Sequence, residues 1–252
     1  MAAVLQVAAV TSATASAAEE PTPDLVEEHR VLYEATETDG TIAVDSSTFG
    51  NVGELKGQVS RRDGSYRFHP LREKGIYDRI RAAPDPAFNP RSRPFSYGAR
   101  IKVGPDAVWS HNEMSIMRHG DTDTPGGDYK LEIAKRKEGK VTAFCAMHDG
   151  VGGLAYVQGT GALETLDDGA WHQITCKLDE DSVALVIDDH VYEKELTESL
   201  GSIRSRDPLL IGAQPFAARP DLKFREQFHG AMDDIHVTVF VPTETEPEEP
   251  PA

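Results

Sequence analysis

Short apolar stretches alternate with polar residues through most of this chain, separated by clusters of glycine, proline and aspartate. A period of two is typical of β-strands that bury one face. In residues 171–178, Ile174, Cys176 and Leu178 share one face. Many closely spaced strands with little helical periodicity predict an all-β fold, an antiparallel two-sheet β-sandwich of the jelly-roll kind.

The predicted strands follow from this alternation. Residues 129–133 and 141–147 flank Glu138-Gly139, a turn signal, and predict a hairpin. The one helical candidate is the segment 71–82. Further strands are predicted at residues 95–103, 114–118, 171–178, 183–187, 209–211 and 235–239.

The two ends differ in composition from the middle. Residues 1–18 hold an apolar stretch that ends in small residues, the pattern of a cleaved signal peptide, although a disordered alanine-rich leader is the alternative. Residues 19–30 are polar and predict a linker or N-terminal arm. Residues 241–252 are acidic and proline-rich, which predicts a disordered tail. The folded domain is therefore expected over residues 31–240.

The charge balance is strongly acidic, with 42 Asp and Glu against 26 Lys and Arg and a formal net charge of −16. Such a chain repels phosphate backbones and anionic lipids, so nucleic acid and membrane surfaces are not expected partners. No apolar run approaches the ~20 residues that span a bilayer. Neutral sugars, cationic surfaces and divalent cations remain open, and the acidity also serves solubility.

The chain has two cysteines, Cys145 and Cys176. In an exported protein an even pair predicts one disulfide, whereas in a cytosolic protein both would be buried free thiols. Neither cysteine has a CxxC partner, which disfavours a structural zinc site.

Three motifs resemble the laminin-G-like, concanavalin-A-like superfamily and span nearly the whole expected domain. Residues 168–176 read DGAWHQITC, and the strand 183–187 follows them with Asp188 at its end. Residues 228–237 read FHGAMDDIHV, similar to the last strand of that family, and residues 45–53 resemble its opening loop. The resemblance implies a concanavalin-A-like β-sandwich that is secreted.

A narrower resemblance is to exported actinobacterial proteins that carry this domain. Residues 126–131 read GGDYKL and precede Cys145, and Cys176 closes the strand that holds Trp171 and His172. The resemblance implies a Cys145–Cys176 bridge. We also expect the Asp168-Gly169 turn to deliver the large ring of Trp171 into the space between the sheets.

Calcium is the cofactor that the resemblance implies, because the family often binds one such ion near the edge of the sandwich. Carried over onto this sequence, the ligands would be Asp233, with help from Asp45 and Asn51. The alternative is that Asp233 and Asp234 only cap the start of a strand or hydrogen-bond to a neighbouring loop.

A sugar site needs an exposed aromatic ring beside polar side chains. Trp109 fits best, because His111 and Asn112 follow it in a predicted loop. The alternative for Trp109 is plain packing of that loop onto the sheet.

The sequence shows no catalytic motif: the Glu-x-Asp-x-x-Glu strand of related glucanases, Gly-x-Ser-x-Gly and His-Glu-x-x-His are all absent. The leading hypothesis is an extracellular module that binds a glycan or a cell-surface or matrix protein. The first alternative is a polysaccharide-active hydrolase or lyase. Two carboxylates that face each other across the concave sheet would favour this alternative. The second is a structural cell-surface domain with no small ligand.

Overall fold

The computed structural model describes residues 24–37, 40–71, 77–109, 111–122, 125–136, 139–160, 165–214 and 226–243. The predicted signal peptide and all but the first three residues of the predicted tail lie outside these ranges. Within them, no helix is long and apolar enough to cross a bilayer.

The described residues form sixteen strands and one turn of 3-10 helix at Pro86–Phe88. The strands are β1 Leu25–Tyr33, β2 Ile42–Ala43, β3 Gly53–Lys56, β4 Ser60–Arg61, β5 Tyr66–Phe68, β6 Arg79–Ala82, β7 Phe95–Lys102, β8 Glu113–His119, β9 Asp128–Lys135, β10 Val141–His148, β11 Leu154–Gln158, β12 Trp171–Leu178, β13 Ser182–Ile187, β14 His190–Glu195, β15 Leu209–Ile211 and β16 Gly230–Pro242.

The strands form two eight-stranded antiparallel sheets. Sheet 1 has the order β14-β13-β12-β7-β16-β5-β4, and β1 also pairs with β16. Sheet 2 has the order β11-β10-β9-β8-β15-β6-β3-β2. The predicted antiparallel two-sheet sandwich is confirmed, as are the predicted central strands and the β9–β10 hairpin.

The core lies between the inner faces of the two sheets. Phe95 and Tyr97 of β7 meet Tyr129 of β9, with ring centroids 5.3 and 4.7 Å from that of Tyr129. All three rings are fully buried, and the Tyr97 hydroxyl donates to the Lys130 carbonyl oxygen at 2.9 Å. Aromatic contacts therefore join sheet 1 to sheet 2 at the centre of the domain.

The predicted disulfide between Cys145 and Cys176 is confirmed. Cys145 belongs to β10 of sheet 2 and Cys176 to β12 of sheet 1, so the bond joins the two sheets across the core. The two residues are 31 positions apart, and in the loop-entropy account such a crosslink contributes about 3–4 kcal/mol.

The predicted helix over residues 71–82 is wrong where the structure describes it. Residues 79–82 form β6, in which Ile80 and Ala82 are buried while Arg79 and Arg81 are not. Burial in this segment alternates with a period of two. Strand β6 lies between β3 and β15 in sheet 2 and pairs with both. Pairing on both edges therefore decides the conformation of this short segment.

The predicted domain limits at residues 31 and 240 are too narrow. Strand β1 begins at Leu25, inside the predicted linker, and β16 ends at Pro242, inside the predicted tail. The two strands pair from Leu25↔Pro242 to Tyr33↔Ile235. Leu25, Val26 and Glu27 are exposed, so backbone hydrogen bonds hold this end and no apolar pattern marks it.

His172 ties two turns of sheet 1 together. Gly169 has a φ of 85°, and Asp168 Oδ1 accepts from Ala170 N at 2.7 Å, which forms the predicted tight turn before β12. The buried ring of His172 bonds through Nε2 to Asp168 at 3.2 Å and through Nδ1 to Asp188, in the β13–β14 turn, at 2.8 Å. Burial lowers the pKa of His172, but the two carboxylates outweigh burial and raise it above its ordinary value.

Replacing Cys145 and Cys176 together by alanine should lower the melting temperature by about 10 °C under oxidising conditions, because the unfolded chain regains loop entropy. Differential scanning calorimetry with and without reductant checks this. The reduced wild type should melt near the double variant. Equal melting temperatures for the oxidised wild type and the variant would contradict the role given to the bond.

The His172 contacts should make stability depend on pH. A folded-state pKa above the unfolded value stabilises fully below about pH 6.5, and the contribution disappears as pH rises through the raised pKa. We expect the melting temperature to fall over that range in the wild type and less in His172→Gln. The control Lys177→Gln removes an exposed charge from the same strand and should keep the wild-type slope. An unchanged slope in His172→Gln would refute the assignment.

Candidate functional site

One row of side chains crosses the outer face of sheet 1, the face that points away from the core. Ser60 lies opposite Arg67, Arg67 opposite Ala231, Ala231 opposite Lys102, and Lys102 opposite Trp171. Residues directly opposite on neighbouring strands share a face, so these five side chains form a continuous line. We call it the cationic row.

The order of side chains gives the cationic row its shape. Ala231 is small and lies between Arg67 and Lys102, whose strands are two strand spacings, or about 9.6 Å, apart. Ala231 itself is fully buried, so the exposed parts of the row are Ser60 and the cation Arg67 on one side, and the cation Lys102 with the aromatic ring of Trp171 on the other. Arg67, Lys102 and Trp171 are all partly exposed.

The neighbouring row is also charged. Arg100 lies opposite Asp233 on one side and Gln173 on the other. Its guanidinium carbon is 4.9 Å from the centroid of the Trp171 ring, within the range of a cation–π contact. Arg100 therefore fixes the ring of Trp171 and adds a third cation to this face.

The expectation that Trp171 is buried between the sheets is wrong. In β12 the inner positions are His172, Ile174, Cys176 and Leu178, which alternate with the outer ones. Trp171 is in phase with Gln173 and so lies on the outer face, partly exposed. The same period of two that fills the core with aliphatic residues places this ring on the surface.

A cleft of about 530 Å³ opens where the cationic row meets the β4–β5 end of sheet 1. Ser60 and Arg67 of the row line it, together with Arg62, Asp63, Phe68, His69, His229 and Gly230. Asp63 approaches Arg62 at 3.5 Å and Arg67 at 3.7 Å, but Asp63 and Arg62 are more than 70% exposed, so these pairs are weak.

Two histidines of the cleft are held by defined contacts. The buried carboxylate of Asp78 accepts from His69 N at 2.7 Å and binds His69 Nδ1 at 2.9 Å, which fixes that ring. His229 Nδ1 accepts from Val108 N at 2.8 Å, so its Nε2 carries the proton. Burial lowers the pKa of His229, and the neutral ring offers one N–H donor.

The predicted calcium ligands Asp45 and Asn51 are engaged within their own loop. Asp45 Oδ1 accepts from Leu32 N and Ser47 N, both at 2.9 Å. Its Oδ2 accepts from Ser47 Oγ at 2.8 Å and from Asn51 N at 2.7 Å. Asn51 Nδ2 donates to Arg30 O at 2.9 Å. Both carboxylate oxygens of Asp45 thus lock the β2–β3 loop against β1.

Asp233, the third predicted calcium ligand, belongs to the outer face of sheet 1. It lies opposite Arg100 at the start of a bulge in β16. Burial raises the pKa of Asp233, and its Oδ1 has no hydrogen-bond partner among the described residues. Asp233 and Asp45 therefore have different surroundings, and calcium binding stays a prediction.

The predicted ligand residues Trp109, His111 and Asn112 have separate partners. Trp109 packs against the core, with Lys135 Nζ 4.7 Å from its ring centroid. The Asn112 carbonyl oxygen accepts from Lys135 N at 2.8 Å, and the residue is exposed. His111 lies beside Glu113 and Glu226. The position of Trp109 agrees with the alternative that its loop packs onto the sheet. Ligand binding by Trp109, His111 and Asn112 stays a prediction.

Comparison with known families agrees with this architecture: residues 138–238 match a family model described as the Laminin G domain. This part of the chain, which runs from the end of the β9–β10 turn into β16, is therefore similar to a laminin G domain. No curated protein matches the sequence closely enough to count as a relative.

Solved structures share the fold of this chain at low sequence identity. The binding domain of Paraclostridial Mosquitocidal Protein 1 has a TM-score of 0.59 and 16% identity, over 83% of this chain and 48% of that chain. The binding domain of Botulinum Neurotoxin DC in complex with SialylT has a TM-score of 0.56 and 9% identity, over 83% and 47%. The same domain in complex with rat synaptotagmin II has a TM-score of 0.57 and 8% identity, over 83% and 48%. This chain spans about half the length of these structures.

The residues of the cationic row and its cleft were not predicted from the sequence. One sequence signal was available, the Asp63-Gly64 pair. In the structure both residues have positive φ, 53° and 65°, and Arg62 and Ser65 exchange backbone hydrogen bonds. An Asp-Gly pair flanked by short β-prone runs is the sequence signature of such a two-residue hairpin. No sequence signal joins this hairpin to His229, since more than 160 residues separate them.

Replacing Asp45 by asparagine should destabilise the folded protein by about 1.5–3 kcal/mol, because the four donors lose a charged acceptor. Thermal melts of the wild type and the variant, each with calcium and with chelator, check this. If the carboxylate is only a loop lock, calcium shifts neither protein. A calcium-dependent rise in the wild type that Asp45→Asn abolishes would show instead that Asp45 is a ligand.

Proposed function

We propose that this chain is an extracellular binding module that recognises an acidic glycan through the cationic row. The observation that carries the proposal is the line Ser60–Arg67–Ala231–Lys102–Trp171 across five strands. It combines cations, hydrogen-bond donors and an aromatic ring on a rigid sheet, which is the set of groups that a charged sugar needs.

Each side chain of the row has a chemical part in this proposal. Arg67 offers a planar fork of N–H donors that matches a carboxylate or sulfate group. Lys102 supplies a second positive charge at the other side of Ala231. Trp171 presents an apolar ring face to the carbon side of a sugar ring, and Arg100 holds it in place. The cleft adds the neutral His229 as a donor at the end of the row.

The net charge of −16 does not oppose this assignment. At physiological salt the field of an exposed charge is screened beyond about 8 Å, so an approaching sugar acid senses mainly the local side chains. Both charged side chains of the five-residue row, Arg67 and Lys102, are cations, and Arg100 lies in the neighbouring row. The row is therefore positively charged on an acidic protein, although Asp63 and Asp233 lie beside it.

Two further observations support a secreted binding module. A disulfide that joins the two sheets is typical of proteins from oxidising compartments. The structures of similar fold are described as binding domains, one in complex with SialylT and one with synaptotagmin II. Their ligands cover a glycan and a protein, and the locally cationic face favours the acidic glycan here.

The enzymatic alternative would place two carboxylates face to face on a sheet, and Glu132 and Glu226 do meet near the outer face of sheet 2. Burial, and then contact with Glu132, raises the pKa of Glu226 to about 9. The two side chains are within hydrogen-bond reach of each other. Two-carboxylate glycoside hydrolysis needs about 5–9.5 Å between the groups, so this pair does not fit that reaction.

Arg67→Gln and Lys102→Gln should each weaken binding to a uronate- or sulfate-bearing oligosaccharide by about tenfold or more, since each removes a charge-assisted contact. Trp171→Ala should weaken binding about threefold to tenfold. A glycan array identifies the oligosaccharide, and isothermal titration calorimetry on the variants measures the change. Affinity should fall as salt is raised.

Lys194→Gln is the matched control, because it removes one exposed lysine from β14 at the far edge of sheet 1. It should bind like the wild type. An array with calcium and with chelator tests calcium dependence in the same experiment. Equal affinities of Arg67→Gln, Lys102→Gln and the wild type would refute the site, and an array on which only neutral glycans bind would refute the ligand class.

A further inference from the structure

A second cluster of polar side chains lies away from the cationic row, where β8 begins. His111 lies in the loop before β8, and Glu113 is the first residue of β8. Glu226 comes from the segment that leads into β16. One potential ligand atom from each lies within 4.8 Å of the other two. Ser115 N donates to the Glu226 carbonyl oxygen at 2.8 Å, which holds the two segments side by side.

The distances are close to those of a metal centre. A zinc ion lies about 2.0–2.2 Å from nitrogen and oxygen ligands in a tetrahedron, so two of its ligand atoms are about 3.3–3.6 Å apart. Side-chain movements of up to about an ångström would therefore bring an imidazole nitrogen and two carboxylate oxygens onto one ion.

Buried atoms without partners give an independent indication. His111 Nδ1 is buried and has no hydrogen-bond partner among the described residues, and the side chain that meets Glu226 is another carboxyl group, that of Glu132. Glu132 lies opposite Ser115 on β9, its side chain is fully buried, and its Oε1 also lacks a partner while Lys130 Nζ binds its Oε2 at 2.8 Å. Buried polar atoms are ordinarily satisfied, so this group is short of donors or of a cation.

The charges point in the same direction. Glu132 and Glu226 are in contact and Glu113 is close to Glu226, while Lys130 is the cation that acts on the same carboxylates. Three carboxyl groups around one ammonium repel one another in a poorly solvated corner. A divalent cation would offset that repulsion.

We propose that His111, Glu113 and Glu226 bind one divalent transition-metal ion of the zinc class, with Glu132 beside them as a neighbouring carboxylate. One imidazole and two carboxylates suit zinc or manganese, whereas calcium prefers oxygen ligands alone. The ion would join the start of β8 to the entry of β16. This centre shares no residue with the calcium set predicted at Asp233, Asp45 and Asn51.

Titration of the metal-free full chain with zinc chloride, manganese chloride and calcium chloride tests the proposal by calorimetry and thermal melting. We expect one zinc-class ion per chain and a melting temperature raised by about 5–10 °C at a hundredfold excess over Kd. Calcium should leave this transition unchanged in the presence of bound zinc.

The variants distinguish this centre from adventitious binding to surface histidines. Glu113→Gln and His111→Ala should weaken zinc binding at least tenfold, whereas Glu195→Gln, which removes an exposed carboxylate from β14, should bind like the wild type. Glu226→Gln keeps the shape of the side chain and removes a carboxylate from a crowded site, so it should fold and still lose the ion. Zinc affinity unchanged in Glu113→Gln and Glu226→Gln, or no zinc binding by the folded wild type, would overturn the proposal.

Discussion

The contact between the inner faces of the two sheets is the constraint on which the rest of the structure depends. Phe95, Tyr97 and Tyr129 form a closed aromatic group across the core, and the Cys145–Cys176 bond lies in the same interface. Dispersion and burial of these rings hold β7 against β9, while the covalent bond holds β10 against β12. Every inner position is thereby committed to packing, and chemistry is left to the outer faces and the edges.

Because side chains alternate between the two faces of a strand, the residues that pack inward also determine which residues lie on the outer face. Once Ile174 and Cys176 point inward, Trp171 and Gln173 must point outward, and once Ile101 points inward, Arg100 and Lys102 must point outward. Antiparallel register then lines up residues from strands far apart in sequence, so Arg67, Lys102 and Trp171 come together without any local motif. A sheet is stiff, and the spacing of such a row is therefore set by the backbone rather than by flexible loops.

The sequence was sufficient for the features that have a strong local or compositional signal. Strongly alternating strands such as β12 and β13, the antiparallel sandwich and the cysteine pairing could all be anticipated. The paired terminal strand β1 could not, because its first residues are exposed and its pairing is made by backbone groups. The position of Trp171 could have been inferred, since the alternation that assigned Ile174 to the core also assigns Trp171 to the surface. The row and the Glu226 cluster could not, because both depend on register between segments more than 100 residues apart.

The two candidate sites differ in how far their charged groups are buried. On the outer face of sheet 1, charged groups are partly solvated, so each contributes modestly and remains available to a ligand. Near the start of β8, the side chain of Glu132 is fully buried and Glu226 Oε2 is buried as well, so that corner carries a cost of desolvation that packing alone does not explain. His172 is a buried titratable side chain with a structural role, and both of its ring nitrogens have carboxylate partners. The atoms around Glu226 depart from that pattern, and here they coincide with three side chains of the kind that ligates metals, which is where binding chemistry is expected.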